Sequence, residues 1–170
     1  MKINTASIRV FSFVLLLLVV IRIPTQNSSI AYGQILNASN SNVESLCERL
    51  GDITLIPMKQ DERGDEFYNT LLTKGKDSVP CLISQITNTR IMNDPRQAPK
   101  YNNFKIGDAA FFIFLRITKQ HMEDFLPSSA SAKIKDEGVY AYFRYVNRIS
   151  GRKYIQNKSQ SWFATNYKNK

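Results

Sequence analysis

The last 33 residues of this 170-residue chain, Gly138 to Lys170, contain no aspartate or glutamate, and the whole chain has one histidine, two cysteines and one tryptophan. Each scarcity removes a class of chemistry. The lone His121 and a single cysteine pair are too few soft ligands for a zinc centre. No G-x-S-x-G elbow accompanies His121, so Ser/His/Asp catalysis has no local signature. Phosphate-cradling loops of the G-x-x-x-x-G-K-[ST] and G-x-G-x-x-G kinds are absent, which argues against nucleotide chemistry. No metal and no cofactor is expected. Long apolar runs are scarce too. The longest, Val10–Ile21 (VFSFVLLLLVVI, broken by Ser12), has twelve residues. At 1.5 Å each these cover roughly 18 Å, against a hydrocarbon core of about 30 Å.

That short run follows Lys2 and Arg9, is closed by Arg22, and is succeeded by the small-x-small tripeptide Ala31-Tyr32-Gly33. A basic start, an apolar centre and a small-residue cleavage point read as a secretory signal, with residues 1–33 removed before Gln34. The protein is therefore expected to be exported, to the periplasm or the cell exterior. Residues 34–42 (QILNASNSN) are polar, small and aperiodic, and read as a flexible leader. Residues 43–170 then make a single helical domain, long enough to bury a core of its own.

Removal of the signal takes three basic residues and no acidic ones, leaving 20 basic against 14 acidic side chains. The surplus sits at one end. Residues 34–137 hold 13 basic and 14 acidic residues, whereas Arg144, Arg148, Arg152, Lys153, Lys158, Lys168 and Lys170 follow without a counter-charge. Such a segment is either a solvated helix face or a surface that steers toward an anionic partner. Tyr154, Trp162, Phe163 and Tyr167 lie among these cations, and at helical spacing such aromatics serve either to dock a terminal helix on the core or to contact a membrane or polyanion. An exported protein has little occasion to meet nucleic acid, and none is expected as a partner.

Two cysteines in an exported domain read as one disulfide. Val43, Leu46, Cys47 and Leu50 follow the i, i+3, i+4, i+7 spacing of a buried helical stripe, so Cys47 faces inward. In SVPCLISQI the stripe is Val79, Leu82, Ile83 and Ile86, and Cys81 points about 150° away from its centre. An apolar thiol on that polar face is explained if the earlier helix crosses the back of this one. Cys47 and Cys81 would then pair.

Along the chain, a short helix over residues 42–50 ends at Gly51. Asp61 reads as the cap of a second helix that buries Phe67, Leu71 and Leu72 and stops at Lys74 and Gly75. Asp77 or Ser78 starts a third, with Pro80 in its first turn. Thr87 to Lys105 has no sustained period, and a connection of that length is often functional or mobile. Arg90, Arg96, Lys100 and Lys105 make it basic. Asp108 reads as the cap of the most hydrophobic segment, Ala109 to Leu115 (AAFFIFL), which should be the central buried helix. His121 to Phe125 suggests one more turn, 127–132 (PSSASA) a loop, residues 139–149 an aromatic helix, and residues 152–166 a last one.

The segments GKDSVPCLISQI and IGDAAFFIFLRIT together resemble the second helix of a HEAT-type repeat followed by the opening helix of the next. The layout DSVPCLI, DPRQAP, GDAAFFIFL is also similar to that of small exported bacterial proteins of uncharacterised function. The resemblance implies a compact all-α bundle of five or six helices with HEAT-like pair packing, and a scaffold that binds another protein. It brings no catalytic residues with it. The candidate binding surface comprises Arg90, Arg96, Lys100 and Lys105 in the long loop and Arg152, Lys153, Lys158 and Trp162 near the C-terminus. The leading reading is a non-enzymatic binding protein, of which an exported immunity or inhibitor protein is one form. The alternative is a cell-envelope hydrolase using His121 with nearby carboxylates.

Overall fold

The computed structural model describes residues 43, 45–59 and 62–166. Residues 1–42, which the sequence reads as signal and leader, Asp61, which it reads as a helix cap, and the terminal Tyr167, Lys168 and Lys170 lie outside the described residues. All regular structure among the described residues is helical, and extended chain pairs only at two isolated bridges, Ile56 with Arg96 and Ile91 with Lys105. A helical turn at residues 45–48 runs into a 3-10 turn, Leu50–Asp52. Five helices follow: α1 (Glu66–Lys74), α2 (Val79–Gln85), α3 (Ile106–Thr118), α4 (Val139–Val146) and α5 (Gly151–Asn166). Single helical turns at Ser128–Ser131 and Ile134–Glu137 connect α3 to α4.

Helix α3 is the hub because its sequence leaves it no polar side. Ala109, Ala110, Phe111, Ile113 and Phe114 have no exposure, and α1, α2 and the Leu50–Asp52 turn all pack on it. Phe111 stacks on Tyr142 at 5.3 Å and meets Phe125 edge-on at 5.8 Å. Each such ring removed from water stabilises the fold by about 1.5–3 kcal/mol before ring geometry adds to it. Of the stripes read from spacing, Val43, Cys47 and Leu50 are buried and Leu46 is half-buried in the first, and Val79, Leu82, Ile83 and Ile86 along α2 and its C-cap are all buried. Cys47 and Cys81 are joined, with Cα atoms 6.0 Å apart, so the first helix crosses the back of α2.

Four boundaries differ from the sequence reading, each for a local reason. Helix α1 starts at Glu66, because Asp65 rather than Asp61 caps it, accepting from the Tyr68 N–H at 2.9 Å. The same carboxylate takes the Leu55 N–H at 2.9 Å and so ties the preceding extended segment to the helix. Helix α3 starts three residues earlier than expected: Lys105 is the cap, and Asp108 reaches back from the first turn to accept its N–H at 2.8 Å. The segment 127–132 is a helical turn, since Pro127 fixes an extended start and its carbonyl takes the Ala130 N–H at 2.8 Å. Helix α4 stops at Val146, leaving Ile149 fully exposed, and α5 begins at Gly151. A Cβ there would lie 2.3 Å from the Tyr145 carbonyl oxygen, so glycine allows this tight corner.

Candidate functional site

Two of the basic residues assigned to the surface are internal. Arg152 is 7 % exposed, and its Nη2 lies 2.8 Å from Oδ1 of Asp108, which has no exposure. The Tyr142 hydroxyl donates to the same Oδ1 at 2.8 Å. Arg152 Nη1 also reaches the Ile86 carbonyl at 3.5 Å, while Gln156 Nε2 donates to Ile83 at 3.0 Å and Ser84 at 3.1 Å. These oxygens lie at the end of α2, and of the three only that of Ile83 also accepts a backbone N–H, that of Ile86, so α5 caps α2 sideways. Burial lifts the Asp108 carboxyl above its usual range, and the Arg152 charge with the Tyr142 and Lys105 donors offsets that only in part. Burial, together with the neighbouring Asp108 charge, lifts the Tyr142 phenol well above its own. Asp108 and Tyr142 are sealed from solvent, Arg152 keeps only an edge in contact with it, and the cluster works as a structural tie.

Arg96, the second correction, organises the long loop. Its Nε and Nη2 bind the two oxygens of Asp94 at 3.0 and 2.5 Å, and Nη2 also donates to the Pro99 carbonyl at 2.9 Å. The guanidinium lies over Phe104, Phe112 and Phe143, 4.9–5.2 Å from their centroids. Asp94 further accepts the backbone N–H groups of Arg96 at 3.0 Å and Tyr101 at 2.8 Å. Burial pushes the Asp94 carboxyl up, yet the Arg96 hydrogen bonds and charge and the Tyr101 N–H outweigh it and hold it below the usual value. A stretch without periodicity is thereby fastened to the core by one forked ion pair.

Trp162, the third of these residues off the open surface, packs edge-on against Phe114 at 5.9 Å and lies 6.3 Å from Phe125. It docks α5 on the core. The remaining cations fall on separate faces. Arg90 and Lys100 line a groove of about 760 Å³ with Ile91, which is 69 % exposed. Lys105 and Lys153 come together with Arg148, which the sequence marks only as one of the C-terminal charges. These three line a hollow of about 380 Å³ whose walls also include Thr87, Thr89, Ser150 and the edge of Arg152. No carboxylate lines it, and the fully exposed Ile149 stands on its rim. Lys153 is held by a 2.8 Å bond from Nζ to Gln156 Oε1. Lys158 is exposed elsewhere along α5 and does not line the hollow.

His121 is exposed and lines a cleft of about 390 Å³ between α3 and the segment around Met58. Neither Glu123 nor Asp108 borders that cleft, and none of its lining residues is Asp, Glu, Ser, Thr or Cys. Among the described residues, no three His, Cys, Asp or Glu side chains gather as a metal site, and no helix is long and apolar enough to cross a membrane.

The signal for the internal arginine was present in the spacing but not in hydrophobicity. Arg152, Ile155, Gln156 and Ser159 are buried at i, i+3, i+4 and i+7, a core-facing stripe that is mostly polar. No family model matches this chain, and neither the curated proteins nor the solved structures hold a match to it.

Proposed function

We propose that this protein is an exported, non-enzymatic binding module that docks an acidic protein surface into the hollow formed by Lys105, Arg148 and Lys153. The observation that carries the reading is that concave, carboxylate-free hollow with Ile149 exposed beside it. A cation cluster around a recess suits a protruding acidic side chain, and an apolar rim residue adds contact area that water does not satisfy. Concavity favours a protein protrusion over a flat lipid surface. The frame behind it is cross-tied, since Arg152 and the Lys105 N–H both engage Asp108 and the Cys47–Cys81 bond joins the first helix to α2. The resemblance of GKDSVPCLISQI and IGDAAFFIFLRIT to HEAT-type helices supports the same reading, as such repeats serve as protein-binding scaffolds. If the partner is an enzyme whose site this face covers, the module is an inhibitor or immunity protein. The disulfide fits the oxidising compartment to which a signal over residues 1–33 would deliver it.

The test is affinity capture from envelope extract on the oxidised protein, with the K105Q/R148Q/K153Q triple variant and I149S run beside it. A specific partner is retained by the wild type and lost by at least about tenfold, or ~1.4 kcal/mol, on the triple variant. Equal capture by wild type and triple variant removes the reading. Selective loss of anionic-liposome binding in place of a protein would reassign the face to a membrane.

A further inference from the structure

A second concave site lies away from the basic hollow, at the C-terminal end of α3. The cleft of about 390 Å³ is walled by Ile56, Pro57, Met58, Phe112, Leu115 and Val139, and cations alone supply its charge. Its volume falls within the range of small-molecule pockets, and its lining has their character, an apolar body with a few polar groups at one side. Arg96 is already engaged by Asp94 and Pro99, and Arg116 donates to the Pro57 carbonyl at 2.8 Å. Lys119 and His121 are exposed at the mouth, where no carboxylate lines the cleft.

Two local features bear on use. Lys119 ends α3 in the left-handed conformation, φ 54° and ψ 34°, with its N–H closing on the Leu115 carbonyl. Glycine or asparagine fills such a position with less steric conflict, so a lysine there puts a cation at the cleft mouth at a conformational cost. Met58, at the lip, is 61 % exposed, a large and adaptable apolar side chain left in water beside that mouth.

We infer that this cleft binds a small amphipathic anion, a carboxylate with an unbranched or aromatic apolar body, whose head meets Lys119 and His121 and whose body lies along Met58 and Leu115. The site is independent of the protein-docking hollow. The apolar wall supplies area-dependent attraction and the head-group pair supplies selectivity for charge.

The experiment is calorimetric titration of the oxidised protein with sodium decanoate, with decanol at matched concentration, and with decanoate against the K119Q/H121Q, M58S and K153Q variants. Decanoate is expected to bind about tenfold tighter than decanol, the double variant to erase that preference, and M58S to weaken both ligands. K153Q, in the other site, should leave decanoate binding unchanged. The inference is overturned if decanoate and decanol bind alike, if neither binds, or if the double variant binds decanoate as the wild type does.

Discussion

Arg152 at the start of α5 and Asp108 in the first turn of α3 form a buried ion pair, 2.8 Å from Nη2 to Oδ1, with side-chain exposures of 8 % and 0 %. The Asp108 carboxylate joins three helices at once, because it also accepts from Tyr142 on α4 and from the Lys105 N–H. Such a pair specifies an arrangement more than it adds net stability, since desolvating both charges offsets much of their attraction.

Removing one partner should therefore cost more than removing both. Arg152→Met leaves a buried carboxylate unpaired, and about 3–5 kcal/mol of unfolding free energy should go with it. The double change Arg152→Met with Asp108→Leu should recover a large part of that loss. Urea denaturation of the four members of the cycle measures the coupling. Additive losses would mean that the two charges do not act as a pair.

Asp94 sets a pH dependence with a definite sign. Its folded value is lowered from 3.8, so its contribution is present above that value and lost as pH falls through the lower folded one. Asp65, held below its usual value despite burial by the Tyr68, Thr54 and Leu55 donors, acts in the same direction. Asp108, raised from 3.8, runs the other way: its contribution is present at low pH and lost as pH rises through the raised value. Asp94→Asn should lower stability at neutral pH, because Arg96 then lacks its counter-ion, and should flatten the acid limb of the stability curve. Arg96→Lys should also destabilise, since an ammonium replaces neither the fork nor the stacking over three rings. Hydrogen exchange would show the change first as lost protection at the Tyr101 N–H.

Gly107 reverses an ordinary rule. Glycine to alanine inside a helix usually stabilises by about 1 kcal/mol. Here the added Cβ would lie 2.2 Å from the Ile86 carbonyl oxygen and 2.9 Å from both the Asn88 carbonyl and Arg152 Nη1. Gly107→Ala should destabilise by about 1–3 kcal/mol through separation of α2, α3 and α5. A thermal melt at or above that of the wild type would show that the three helices do not approach so closely.

The Cys47–Cys81 bridge spans a sequence separation of 34. In the chain-entropy model a loop of that length contributes about 3–4 kcal/mol. Reduction, or the paired change to serine, should lower the urea midpoint by the corresponding amount. A midpoint unaffected by reductant would place the closure entropy elsewhere.

The parts of the fold that were legible in the sequence are those with an apolar period. The stripes through Cys47 and α2, the outward Cys81 that called for a partner, and the largely buried AAFFIFL of α3 needed only spacing. The charged interior was not legible for a matching reason. Asp108 has the look of a helix cap, and it does accept a cap N–H, but its second oxygen serves a pair formed far along the chain. Arg152 carries only the i, i+3, i+4, i+7 spacing of a mostly polar stripe as a mark of burial, and Arg96 carries none, since their environments are assembled by rings and carboxylates from other elements. The candidate surface was legible only in its sign. Composition located the surplus of positive charge, and folding then removed Arg96, Arg152 and Trp162 from it and added Arg148 beside Lys105 and Lys153.

The central claim is that the hollow around Lys105, Arg148 and Lys153 is the binding face. Hydrogen exchange on the captured complex, compared with the free oxidised protein, tests it most directly. Protection confined to residues 87–89, 105 and 146–153, and abolished in the K105Q/R148Q/K153Q variant, is the predicted result. Protection on the Arg90–Lys100 groove or the His121 cleft, with residues 146–153 exchanging as in the free protein, would contradict it.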